Sequence, residues 1–247
     1  MTETKEWFES WFDSPYHGML YQRRDEHEAK AFIDKLFAWL QPAADSTVLD
    51  IACGDGRHAA YMKNYVHEVI GIDLSEHRIN KAQQLAKENL AFYKQDMRNV
   101  FRLNYFDYAF NFFTSFGYFK HNRDNVIAAD SFAKSLKPGG KLMIDYMNVD
   151  KVKDQLVSEE LVEVDGIKFC LHRKSEQGKI IKTIRFNDLA GKAWEFEEVV
   201  SEFRQPDFEN MFEPCGLKLI KTFGDYDLND FEAEKSPRLI MIFEKHS

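Results

Sequence analysis

Apolar positions in this chain recur first with a helical spacing and then in short runs separated by further helical stretches. Residues 23–40 place Ala29, Phe32, Ile33, Leu36 and Leu40 on one face, and Gln41-Pro42 ends the pattern. Short apolar runs then predict strands at 48–52, 68–72, 91–93, 108–112 and 141–147. Between them the spacing predicts helices at 57–64, 75–88 and 124–136, with Ser75 capping the second, and Pro138-Gly139-Gly140 turning into the last strand. Strands alternating with helices imply parallel strands joined by crossovers, hence an open, doubly wound α/β sheet.

The pattern changes after residue 160. Four β-like runs, 161–164, 168–174, 180–187 and 194–203, are separated by Asp165-Gly166, Gln177-Gly178 and Gly191, which are hairpin signals. They predict a small antiparallel sheet inserted into the α/β core as a lid or wall. A helix at 207–213 and strands at 217–223 and 238–244 return to the earlier style, with the acidic loop 225–234 as the one flexible stretch. The expected organisation is a helical lead-in and cover at 1–46, a core at 47–150 and 204–247, and an insertion at 151–203.

Composition narrows the class. A chain of 247 residues with 44% hydrophobic and 30% charged residues is long enough to bury one full core. Its formal charge of -8 repels phosphate backbones, so nucleic acid is not an expected partner. Cys53, Cys170 and Cys215 are too few and too far apart for a disulfide framework or a zinc knuckle, and no convincing carboxylate set for a metal is present. The polar, acidic first residues lack a signal-peptide pattern, and no apolar stretch approaches the ~20 residues needed to span a bilayer. The expectation is a cytoplasmic monomer or homodimer that touches neither membrane nor nucleic acid.

The chemistry concentrates after the first strand, in Val48-Leu49-Asp50-Ile51-Ala52-Cys53-Gly54-Asp55-Gly56. Glycines there let the backbone turn tightly and approach a ligand without a Cβ in the way. Seventeen residues beyond Gly56, Asp73 ends the second strand, where a carboxylate can accept both hydrogen bonds of a ribose diol. Asp73 could instead merely cap the helix after it; its register with the glycine loop favours the ligand role.

Leu49-Asp50-x-Ala52-Cys53-Gly54-x-Gly56 followed by Gly71-Ile72-Asp73-Leu74-Ser75 resembles the class I S-adenosylmethionine-dependent methyltransferase family over roughly residues 47–147. The resemblance implies a Rossmann-like, seven-stranded, mostly parallel sheet and S-adenosylmethionine as cofactor, with S-adenosylhomocysteine as product. It implies that Asp50, Ala52, Gly54 and Gly56 form the loop against the methionine part, Ala52 standing where the commonest pattern has another glycine. It further implies that Asp73 and Leu74 meet the ribose, that Asp96 and Met97 of Gln95-Asp96-Met97-Arg98 meet the adenine, and that Phe112 lines the methionine side. Lys137-Pro138-Gly139-Gly140 resembles the family's turn before strand five. The string Ser14-Pro15-Tyr16-His17-Gly18 through Asp25 is similar to the lead-in of a subset of these enzymes, which implies that Tyr21 and Arg24 close over the cofactor.

Methyl transfer needs little beyond positioning, because a sulfonium is already a good leaving group. A base helps when the acceptor is a protonated amine or hydroxyl, and His121 is the best-placed candidate by sequence, although a histidine there is more often a surface residue. Tyr118, Tyr146 and Asn148 at strand ends are the candidate contacts to a small-molecule acceptor of a methyl group on nitrogen or oxygen. Two other classes stay open at this point. Gly54-x-Gly56-x-x-Ala59 followed by an acid is compatible with a nicotinamide-dependent oxidoreductase, and the pocket could serve binding alone. Asp50 and Asp55 beside the loop suit a cationic ligand better than a pyrophosphate.

Overall fold

The computed structural model describes residues 6–21 and 26–246. Strands β1 (Thr47–Ile51), β2 (Glu68–Asp73), β3 (Leu90–Lys94), β4 (Phe106–Asn111) and β5 (Leu136–Met147) run parallel where they pair. Strands β10 (Leu217–Phe223) and β11 (Arg238–Lys245) join antiparallel and complete a seven-stranded sheet in the order β10-β11-β5-β4-β1-β2-β3. Val48, Leu49 and Ile51 of β1 and Leu239 to Phe243 of β11 are all buried, as strands covered on both faces require.

One face of the sheet is covered by α3 (Glu26–Leu40), α4 (Arg57–Met62) and α5 (Glu76–Ala82), which bury Phe32, Leu36, Met62 and Ile79 in one apolar cluster. The other face is covered by α6 (Asn122–Ser135) and α8 (Gln205–Phe212), whose Phe132, Phe208 and Phe212 pack with Phe116 and Phe243. Ser75 caps α5 as expected, its hydroxyl accepting from the Arg78 N–H at 3.1 Å.

Between β5 and β10 the chain forms α7 (Val149–Asp154) and a separate antiparallel sheet, β6 (Glu159–Val164), β7 (Ile167–Glu176), β8 (Lys179–Asn187) and β9 (Ala193–Ser201). Its inner face has its own apolar cluster, around Phe169, Ile184 and Phe186. Two short helices absent from the sequence reading, α1 (Trp7–Phe12) and α2 (Pro15–Tyr21), complete that cluster with the fully buried Trp11. The Trp11 ring lies tilted 4.6 Å from that of Phe196 and donates to Glu198 at 2.6 Å, so these helices are built onto the antiparallel sheet.

The acidic loop expected to be flexible is instead tied down. Asp225 accepts from the backbone N–H groups of Asp227 and Asn229 at 2.9 and 3.1 Å, and Lys221 pairs with Asp230 at 2.6 Å. Its acids serve as turn acceptors and ion-pair partners rather than as a repelling run.

Candidate active site

A cavity of about 330 Å³ opens at the carboxyl ends of β1 to β4, where the strand order reverses between β1 and β4. The loop after β1 shapes its floor. Ala52, Gly54 and Gly56 all have left-handed backbones, with φ of 59°, 56° and 82°. A Cβ at Gly56 would lie 2.6 Å from the Phe92 ring and 2.9 Å from Ala82, so this glycine is required for packing of the loop on β3 and α5. It is not among the residues lining the cavity, unlike Ala52 and Gly54.

Asp73 ties the loop to β2. One carboxylate oxygen accepts from the Gly54 N–H at 2.9 Å and the other from the Ser75 N–H at 2.8 Å, so each oxygen keeps acceptor capacity, and the residue lines the cavity. Burial raises its pKa against those two hydrogen bonds and the Arg78 charge. Asp50 beneath it is 1% exposed, and burial together with the Asp73 charge pushes its pKa up to about 8. Its Oδ2 has no hydrogen-bond partner. A buried carboxylate with an unmet oxygen at the floor of a cavity favours a cationic ligand. The Cys53 thiol is pushed well up by burial, which makes it a packing residue rather than a nucleophile.

On the β3 side, Asp96 and Met97 line the cavity. Arg98 grips the Asp96 carboxylate through Nε at 3.0 Å and a terminal nitrogen at 2.6 Å while lying 4.9 Å over the Phe119 ring. Leu74, Phe112 and Tyr118 also line it. Above, Trp7, Phe8 and Phe12 of α1 and His17 and Tyr21 of α2 form the roof. Trp7 sits edge-on to Tyr118 at 5.3 Å, and the Arg78 side chain reaches up to His17 at 2.5 Å and to the Phe12 carbonyl at 3.3 Å. The roof is thereby pinned to α5, beside Asp73. Arg24, expected to join Tyr21 here, lies outside the described residues.

At the far end the inserted sheet contributes Glu198 and Val200. Glu198 accepts from the Tyr21 hydroxyl at 2.7 Å, and its cross-strand partner Lys182 lies 3.6 Å away. The sequence held a signal for this residue. Trp194, Phe196 and Val200 form the inward row of β9, so Glu198 is an acid in an otherwise apolar row. Trp7, Phe8, Trp11 and Phe12 likewise have a helical spacing. His17, His58 and Arg78 carry no pattern that separates them from surface residues.

Three expected site residues stand elsewhere. His121 is exposed at the N-cap of α6 and outside the cavity lining, because the 114–121 segment carries it past the rim. Tyr146 is wholly buried below the cavity, donating to the Ser201 carbonyl at 2.6 Å and filling the space that a side chain at Gly117 would need. Asn148 is buried too, donating to the carbonyls of Ala233 and Ser236 at 2.8 and 2.7 Å. Both fasten segments together instead of meeting a ligand. Among the described residues no His, Cys, Asp and Glu cluster suits a metal ion, and no helix is long and apolar enough to cross a membrane.

Comparison with known proteins places these features in context. A family model described as a methyltransferase domain matches residues 21–222. YqeM of Bacillus subtilis, which bears a methyltransferase name, is 26% identical over 232 residues, covering 90% of this chain and 94% of its own. The dTDP-3-amino-3,4,6-trideoxy-alpha-D-glucopyranose N,N-dimethyltransferase of Streptomyces venezuelae is 28% identical over 182 residues, covering 70% of this chain and 76% of its own. In fold, the chain is similar to an S-adenosylmethionine-dependent methyltransferase from Clostridium acetobutylicum, with a TM-score of 0.77 at 19% identity over 94% of this chain and 96% of that one.

Proposed function

The chain belongs to the methyltransferase-domain family and is an S-adenosylmethionine-dependent methyltransferase, and from that premise we propose that it methylates the nitrogen of a small, polar amine. The observation that carries this reading is Glu198, a carboxylate that the inserted sheet contributes to the cavity lining. Its charge is shared with Lys182 and its oxygens already accept from Trp11 and Tyr21, so it meets the cavity as a hydrogen-bond acceptor suited to an amine N–H. The N,N-dimethyltransferase name of the Streptomyces venezuelae relative, which specifies an amino sugar nucleotide, supports the same class.

When bound, S-adenosylmethionine supplies an electrophilic methyl group on a sulfonium. In this reading the free lone pairs of Asp73 accept the ribose hydroxyls, Asp96 accepts from the adenine amino group, and Met97 covers the ring. Asp50 offers its unmet oxygen to the positive charge of the methionine part, and Phe112 forms the wall beside it. Trp7, Phe8, Phe12 and Tyr21 exclude water from above. Positioning of the amine in line with the methyl is the main catalytic contribution left to the protein. His121 is not among the lining residues, and in this reading an amine arriving in its neutral form needs no base.

The test is transfer of a labelled methyl group from S-adenosylmethionine to a panel of small amines, including amino sugar nucleotides, with matched hydroxyl compounds and RNA alongside. Label in amines alone supports the reading. Label confined to hydroxyl compounds or RNA overturns it.

A further inference from the structure

The loop that leaves β4 contains two successive residues, Phe113 and Thr114, with left-handed backbones, at φ 55° and 58°. Neither is glycine, and side chains adopt this conformation rarely, so two in a row need an external hold. Phe113 lines the cavity, with its ring 5.1 Å from that of His58 and 5.8 Å from the Arg57 guanidinium. The conformation of this turn therefore sets one wall of the site.

The hold comes from side chains that do not line the cavity. Asp145 of β5 is 0% exposed. Its Oδ2 accepts from the Phe113 N–H at 2.8 Å and from the Tyr226 hydroxyl at 3.1 Å. Its Oδ1 accepts from Arg238 at 2.7 and 2.8 Å. The same guanidinium donates to the Thr114 hydroxyl at 3.0 Å, and the Thr114 N–H donates to the Asp145 carbonyl at 2.9 Å. The ring of Tyr226, from the acidic loop, also lies tilted 4.7 Å from that of Phe32 of α3 and 5.8 Å from that of Phe113. A buried ion pair is a poor source of net stability compared with apolar packing, yet this one directs its hydrogen bonds at both residues of the strained turn.

We propose that Asp145, Arg238 and Tyr226 are positioning residues for the methyl donor, acting through the Phe113-Thr114 turn to fix the wall beside His58 and Arg57. The proposal rests on the assignment of the cavity to S-adenosylmethionine. It extends the functional unit to β11 and the acidic loop, which sequence motifs in the first half of the chain do not reach.

The experiment compares the wild type with Asp145→Asn, Tyr226→Phe and the double variant Asp145→Asn/Thr114→Gly. Each is assayed for S-adenosylmethionine affinity by calorimetry, for KM and kcat, and for thermal unfolding. Asp145→Asn is expected to raise the KM and Kd for S-adenosylmethionine about tenfold, with kcat at saturation little changed. Tyr226→Phe keeps the ring and loses one hydrogen bond, so a few-fold rise with nearly unchanged melting is expected. Glycine at 114 adopts the left-handed backbone without strain while Phe113 stays left-handed, so the double variant should recover part of the lost affinity. Unchanged affinity and KM in both single variants, with only the melting temperature lowered, would show a merely structural role. If Asp145→Asn fails to fold, Tyr226→Phe decides by the same comparison. A wild type that itself fails to bind S-adenosylmethionine would instead overturn the cavity assignment, and the positioning role with it.

Discussion

Replacing Asp50 with asparagine should stabilise the free protein at neutral pH while weakening its grip on the cofactor. An aspartate in the unfolded chain titrates near 4, whereas burial and the neighbouring Asp73 push Asp50 up to about 8 in the native state. The native protein therefore holds this proton more tightly than the unfolded chain does. The Asp50 contribution to stability then falls as pH rises from ~4 to ~8, by about 1.4 kcal/mol per pH unit, and is flat outside that window. Asparagine does not titrate, so between pH 5 and pH 7 the wild type should lose about 2.7 kcal/mol relative to Asp50→Asn. Urea unfolding of both proteins at pH 5, 6 and 7 measures the difference directly. The same pKa leaves Asp50 about nine-tenths protonated at pH 7 in the free protein, and a cation placed against it should expel that proton. Calorimetry of S-adenosylmethionine binding in two buffers of different ionisation enthalpy should therefore report release of nearly one proton by the wild type and none by the variant. Parallel stability curves for the two proteins would refute the reasoning.

The other predictions concern single side chains around the same cavity. Asp73→Ala removes the acceptors expected for both ribose hydroxyls and should cost about 1–3 kcal/mol of S-adenosylmethionine affinity, read by calorimetry; unchanged affinity would defeat that assignment. Glu198→Gln should raise the KM of the amine acceptor several-fold while leaving its hydroxyl analogues unaffected, which steady-state kinetics with both acceptors would show. Ala52→Gly relieves a left-handed alanine at φ 59° and should leave stability unchanged or raised by up to about 1 kcal/mol in urea unfolding; a loss larger than that would contradict the strain reading.

Much of the fold was legible because its strands are buried on both faces and read as short apolar runs between amphipathic helices. The hairpins of the inserted sheet were equally visible, since Asp165-Gly166 and Gln177-Gly178 are turn pairs with left-handed backbones. The meeting of Asp50, Gly54 and Asp73 in one cavity followed from local sequence, because they lie at the ends of adjacent strands. The rest of the site depends on distant residues meeting. Glu198 reaches Tyr21 across 177 positions, and Arg238 reaches Thr114 across 124, so no local pattern announces them. Tyr146 and Asn148 were misplaced for the complementary reason. A strand end shows that a polar group will find a partner, but not whether that partner is a ligand or the backbone of another loop.

The central claim is that this cavity holds S-adenosylmethionine, and calorimetric titration of the purified chain tests it most directly. Saturable, micromolar binding of S-adenosylmethionine and S-adenosylhomocysteine, with no heat from NADH or NADPH, is the predicted result. Binding of a nicotinamide cofactor alone, or of none of the four, would contradict it.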